Sequence, residues 1–283
     1  MGKSKNKPPL RVRWKTMEAA IGMEIREHKG SFAVYVVLRV LVIAVAVLKF
    51  FNGDYEAVFL CILTLLLLLA PAFVQVRFRI ELPSALEVIV LVFVFAAEIL
   101  GEISSFYEIF PFWDTVLHTM NGFLAAAIGF SLVDLLNRSD RVKFELSPLY
   151  LAIVSFCFSM TIGVVWEFFE FSMDMLLGLD MQKDAVVHSI SSVMLDPAHA
   201  NHAVHINDIT QVAVNGRDLG LGGYLDIGLI DTMEDLIVNF IGAVVFSVIG
   251  FIYVKNRGKG VSVISRFVPR RKSHDRDYLR LAG

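Results

Sequence analysis

The chain has 283 residues, 56% of them hydrophobic and 19% charged, with a formal net charge of -2 and a mean hydropathy of +0.63. These values exclude a soluble domain built around one large core and predict an all-α, polytopic helical bundle in a membrane. The near-zero net charge says little about partners, because the charges are segregated along the chain.

Residues 1–30 form a basic arm with Pro8, Pro9 and eight Lys/Arg, predicted to be a mobile cytoplasmic segment. A short amphipathic stretch at 17–25 is a candidate for lying on the membrane surface. The first apolar run begins near Ser31 and, at roughly 21 residues, suits a retained span better than the h-region of a cleaved signal. The transmembrane domain, 31–254, reads as six helices at 31–51, 55–76, 84–105, 112–136, 148–177 and 231–254, each near or above the roughly 20 residues needed to cross a hydrocarbon core. The fifth exceeds that need, so it is tilted or projects beyond the bilayer. Pro71, Pro83, Pro111 and Pro148 fall near span ends or turns. Cys61 and Cys157 lie in apolar spans and read as small buried hydrophobes rather than disulfide partners or metal ligands.

Between the last two spans runs a long loop, 178–230, containing His188, His199, His202 and His205, the last three in HxxHxxH spacing. That pattern suits metal capture or a lid. Gly216, Gly220, Gly222 and Gly223 read as turns, not as a dinucleotide fingerprint. The tail, 255–283, sets Arg266, Arg270, Arg271 and Lys272 among apolar residues. It is predicted to touch anionic lipid headgroups; no nucleic-acid partner is needed to explain it.

Charge asymmetry predicts the orientation. The arm, the 77–81 and 138–145 loops and the tail together carry 22 Lys/Arg, whereas the opposite side carries only Lys49, Lys183 and Arg217, with Arg39 inside the first span. The positive-inside rule then places both termini in the cytoplasm.

Polar groups recur at one depth of four predicted spans. Asp114 and His118 open the fourth, Glu167, Glu170 and Asp174 occupy the outer half of the fifth, and Asp231, Asp235 and Asn239 open the sixth. Glu98 and Glu102 lie near the outer end of the third. Spacings of three and four residues put each set on one helix face. Successive rises of about 1.5 Å order them into a mouth (Asp114, Asp174, Asp231), a second layer (His118, Glu170, Asp235) and a floor (Glu167, Asn239). Small residues, including Gly122, Ala125, Ala126, Gly129, Gly163, Gly242 and Ala243, permit close helix packing.

The outer side and outer span halves hold 18 Asp/Glu against three basic residues. Either some acids carry protons or a cation supplies the missing charge; carboxylates with one imidazole suit a divalent metal ion such as Mg, Mn, Fe or Zn. Asp114 and Asp231 have an alternative role as helix N-terminal caps, Glu98 and Glu102 one as interfacial acids, and His118 one as a core histidine. Glu167 and Glu170, deep in an apolar helix, have the least structural justification.

The segments WDTVLHTMNGFLAAAIGF at 113–130, WEFFEFSMDMLLGLDMQ at 166–182 and DTMEDLIVNFIGA at 231–243 resemble the YjdF-like family of bacterial and archaeal inner-membrane proteins. The likeness covers about 50–255. More distantly, the acidic helix followed by an Asp-rich helix with Asn and Gly/Ala is similar to the VanZ-like family. This chain has a larger loop between those motifs and no match for the VanZ-like arginine. The resemblance implies a multi-pass protein of the inner (cytoplasmic) membrane, in an uncharacterised family, and names no reaction.

Three functions fit these residues. One is an external site for a divalent cation or protons. Another is a metal-dependent enzyme acting on an outer-leaflet lipid or envelope precursor, with Glu167 or Glu170 as base. The third is a transporter or a structural, partner-binding subunit. HExxH, ExxH and GxSxG are absent from the sequence. The inner halves of the last three spans are nearly all apolar apart from Asp134, and Arg39 of the first span is the other polar candidate for an inward route, which favours a site open to the outside only.

Overall fold

A computed structural model of the chain describes residues 10–27, 29–137, 146–256, 270–272 and 274–281. Six helical segments in it are long and apolar enough to cross a membrane: Lys29–Phe51, Tyr55–Phe78, Ser84–Ile103, Trp113–Asp134, Pro148–Leu177 and Leu229–Lys255. They agree with the six predicted spans to within a few residues. The chain divides into two compact units. One comprises the residues up to Ser159 with those from Asn239 onward, and the other residues 160–238.

In the first unit, helix α1 (Leu10–Glu27) precedes the spans. The leader is therefore helical in its described part rather than a loose arm. Its buried positions, Ala20 and Glu24, are four apart and share one face.

Helix α2 (Lys29–Phe51) packs beside α3 (Tyr55–Leu67), and the second span continues as α4 (Ala70–Phe78). Pro71, predicted near a span end, instead lies in the first turn of α4. A proline there has no amide to bond back along the helix, so the span breaks at Leu68–Leu69. Leu69 donates to the carbonyl of Leu66, and the Leu65 carbonyl instead accepts from Arg39 Nη1 at 3.0 Å. The same nitrogen lies 2.9 Å from the Tyr35 hydroxyl. Arg39 is thus the internal partner of a broken helix, which meets the requirement that backbone polar groups at membrane depth be satisfied.

The third span joins α5 (Ser84–Phe95) to a wide π-helical stretch (Ala96–Ile103) that carries Glu98 and Glu102. A short helix, α6 (Phe106–Ile109), leads into α7 (Trp113–Asn137). Around α7 the small residues act as the sequence implies. A side-chain carbon on Gly122 would fall 2.1 Å from the Asn239 carbonyl oxygen, and one on Gly242 would fall 2.1 Å from that of Thr119. Ser155 and Ser159 donate their hydroxyls to the carbonyls of Ala126 and Gly122 at 2.6 and 2.7 Å. Ser155 and Ser159 belong to α8 (Pro148–Leu177), and Asn239 and Gly242 to α9 (Leu229–Lys255), the two helices shared by both units.

The described tail folds back on α1 and on residues 79–81 of the same unit. Strand β1 (Ile80–Glu81) pairs antiparallel with a tail strand (Arg270–Arg271). Lys272 forms a buried ion pair with Glu24, Arg276 meets Glu81 at 2.8 Å and Glu27 at 3.4 Å, and Arg79 meets Asp277 at 3.3 Å. Burial pushes the Glu24 carboxyl up to about 7, against the opposing pull of Lys272. Lys272, predicted to face lipid headgroups, is spent inside the protein; Arg266 lies outside the described residues.

In the second unit, the predicted loop is built of three two-stranded ribbons. Strand β2 (Ala185–Val187) pairs with a later strand (Tyr224–Asp226), β3 (Ile190–Ser192) with β4 (Val204–Ile206), and β5 (Ala213–Val214) with β6 (Arg217–Asp218). The last is a tight hairpin closed by Asn215 and Gly216, both at positive φ, the pair that a two-residue turn of this hand favours.

Gly122→Val and Gly242→Val are each expected to destabilise the protein by at least about 1–3 kcal/mol through overpacking, read as a fall in thermal midpoint. Gly22→Ala, in open space on α1, is expected to raise stability by up to about 1 kcal/mol.

Candidate functional site

Within the second unit, the fifth span presents Glu167 and Glu170 one turn apart, and the start of α9 presents Asp235. All three are buried. One potential ligand oxygen from each lies within 4.8 Å of the others. Residues 160–238 contain twelve Asp/Glu against Lys183 and Arg217, so the surrounding chain offers little positive charge to offset them. The indole N–H of Trp166 donates to Glu170 Oε1 at 2.8 Å. Trp166 stands four residues before Glu170 in the sequence, and that i,i+4 spacing was the available signal for this contact.

Asp174 and Asp231 have a different employment. The two oxygens of Asp174 accept the backbone amides of Met181 and Gln182 at 2.7 and 2.8 Å. Asp231 accepts the amide of Lys183 at 2.9 Å, and the Gln182 side chain bonds to the Thr232 hydroxyl. Together they staple the start of the loop to the ends of two helices. Asp226 takes the amide of Ile230 at 2.9 Å, serving the open amides at the start of α9.

The loop histidines take up separate positions. His188 Nδ1 lies 3.0 Å from the Ile209 carbonyl, and His205 Nδ1 lies 2.6 Å from Ser191 Oγ. The backbone of His202 donates to Asp196 at 3.1 Å. Asp196 also accepts from Ala198 and Ala200 at 3.0 and 2.9 Å. Bonds from His202, Ala198 and Ala200 hold its carboxyl below the ordinary 3.8. Among the described residues the loop histidines join no group of three close ligand atoms. Asp184, by contrast, is held above the ordinary value, first by burial and then by Asp180, Asp226 and Asp174. That shift registers the crowding of negative charge.

The first unit contains the remaining candidates. Asp114 Oδ1 and His118 Nε2 lie 3.6 Å apart along one face of α7, with His118 buried. Asn239 is fully buried, and its Oδ1 accepts from Asn121 Nδ2 at 3.3 Å. Asn121 was missed in the sequence, although it stands three residues after His118 and seven after Asp114, the spacing that puts all three on one helix face. Glu98 is half-buried and Glu102 exposed on the π-helical stretch.

The family model described as "Predicted membrane protein (DUF2238)" matches residues 33–256, and the chain belongs to that family. It is the family the three sequence motifs resemble. An uncharacterized protein of Thermotoga maritima is 29% identical over 97 residues, which are 34% of this chain and 48% of that protein. The match thus spans about half the length of that relative. No solved structure matches the chain.

Asp174→Ala is expected to free the amides of Met181 and Gln182, at a local cost of about 1.5–3 kcal/mol per bond to a charged acceptor. Hydrogen exchange at those two amides is the measurement. Asp196 has a depressed carboxyl, so its contribution is complete at neutral pH and lost as pH falls below 3.8 through the folded value. Asp196→Asn is accordingly expected to raise amide exchange at 198–202 at neutral pH, with a smaller effect at low pH.

Proposed function

We propose that this member of the family is a multi-pass protein of the cytoplasmic membrane whose outward-facing carboxylates bind a divalent cation, with Glu167, Glu170 and Asp235 as its ligands. The observation that carries the reading is the approach of three buried carboxylates within 4.8 Å. Coulomb repulsion between such groups is severe in a medium of low dielectric, and ionised clusters persist there when a counter-charge joins them. An all-oxygen set suits a hard ion such as Mg or Mn over a thiophilic one. The acid excess across residues 160–238 and the raised Asp184 carboxyl support the same sign of field. The staples from Asp174 and Asp231 support a loop fixed to the helix ends that bear the acids.

The outward orientation rests on the charge asymmetry, with both termini on the cytoplasmic side. A bound ion in this place would polarise a substrate oxygen or activate water, with a neighbouring glutamate as base. That makes a headgroup-modifying enzyme the chemical extension of the binding reading.

Purified protein is expected to carry one equivalent of metal by elemental analysis, and Mn²⁺ at a hundred times its dissociation constant to stabilise it by about 2.7 kcal/mol. Glu167→Gln combined with Glu170→Gln removes both effects while leaving the fold intact by circular dichroism. Metal content and thermal shift unchanged in that double variant would exclude the site. Absence of both in the parent protein would instead assign the acids to proton-shared contacts between helices.

A further inference from the structure

A groove of about 320 Å³ runs between the start of α8 and the end of α9 in the first unit, and none of the residues discussed above as ligands lines it. Leu149, Ala152 and Phe156 form one wall, Val244, Val248 and Phe251 the other. Ser247 is the single polar residue of the lining, and its buried hydroxyl has no hydrogen-bond partner among the described residues. The surface offered to an occupant is therefore hydrocarbon.

The groove's position says what that occupant is. Leu149 is the second residue of α8, and Phe251 lies one turn before the last residue of α9, Lys255. The groove thus opens at a membrane–water boundary. From Leu149 to Phe156 it reaches about 10 Å inward at 1.5 Å per residue, a third of a hydrocarbon core of about 30 Å. That depth matches part of one acyl chain. It is too short for a packed helix, which needs several turns of contact.

Charge stands at the open end. Lys255 Nζ lies 5.6 Å from the centre of the Phe251 ring, the residue that closes the groove there. The adjacent end of α8 is a helix N-terminus, capped by Ser147, which accepts the Tyr150 amide at 3.2 Å; its dipole adds positive potential. The sequence flanking both helix ends is also basic. Arg138, Arg141 and Lys143 precede α8 and Arg257 and Lys259 follow α9, against Asp140 and Glu145.

We propose that the groove between α8 and α9 holds one acyl chain of an anionic phospholipid, with the headgroup phosphate met by Lys255 and the start of α8. A zwitterionic lipid offers the same chain but a headgroup whose own cation opposes the flanking charge, so the site discriminates by headgroup.

The test is native mass spectrometry of the full-length protein in detergent, titrated in parallel with dioleoylphosphatidylglycerol and dioleoylphosphatidylcholine. One phosphatidylglycerol per chain is expected to be retained at least fivefold more than phosphatidylcholine. Val248→Trp, on the exposed lip, and Ala152→Phe, in the floor, are each expected to reduce retention at least threefold by occupying the groove. Lys255→Gln is expected to abolish the headgroup preference while sparing chain binding; Lys49→Gln, at the end of another span, is expected to change neither. Equal retention of the two lipids by the parent, or retention unaffected by Val248→Trp and Lys255→Gln, overturns the proposal. So does a dimer that dissociates in Val248→Trp, which would assign the groove to a second copy. Should Ala152→Phe fail to fold, Val248→Trp and Lys255→Gln decide alone.

Discussion

Backbone touching backbone is the constraint on which the first unit depends. Where α7 passes α9, Gly122 faces the Asn239 carbonyl and Gly242 faces the Thr119 carbonyl, with no room for a methyl group at either point. Lipid offers apolar side chains the same company as protein does, so helices in a membrane gain little from burying leucine against leucine. Close approach gains dispersion and lets short polar groups reach across. Asn121 meets Asn239 only because the two glycines bring their helices together, and Ser159 reaches the Gly122 carbonyl by the same economy of volume.

A second rule runs through the molecule: polar backbone exposed by an irregularity is answered by a side chain from elsewhere. Arg39 serves the carbonyl released by the break before Pro71, Asp174 serves two amides just beyond the fifth span, and Asp196 gathers three in one turn of the loop. The acids that remain, Glu167, Glu170 and Asp235, are buried side by side. The division between acids that bind backbone and acids that gather together is what separates scaffold from candidate chemistry here.

The spans were legible because each is an uninterrupted apolar run of the required length, a signal carried by twenty residues at once. The three acids that gather together were legible too, since a carboxylate inside such a run stands out. What escaped had weaker or non-local signals. The ribbons are two or three residues long, too short for alternation to register, although Asn215-Gly216 was a readable turn. The employment of Asp174 by Met181 and Gln182 depends on loop geometry that spacing does not encode. Pro71 was readable as a breaker but not as the start of a new helix within the same span. The leader looked mobile because its partner, the tail, lies some 250 positions away, as Glu24 and Lys272 show.

That distance has a consequence for how the protein is made. Helix α1 is made before the six spans, and the strand Arg270–Arg271 with Lys272 after them, so the pairing of Glu24 with Lys272 and of Ile80–Glu81 with Arg270–Arg271 awaits synthesis of all six. Throughout synthesis the acidic face of α1 has no cation from the tail to meet it, and the edge at Ile80–Glu81 has no strand beside it. This contact therefore records that all six spans have been made and that the chain has returned to α1. A truncated product, however well its spans insert, leaves that seam open and is distinguishable from the finished protein at its surface.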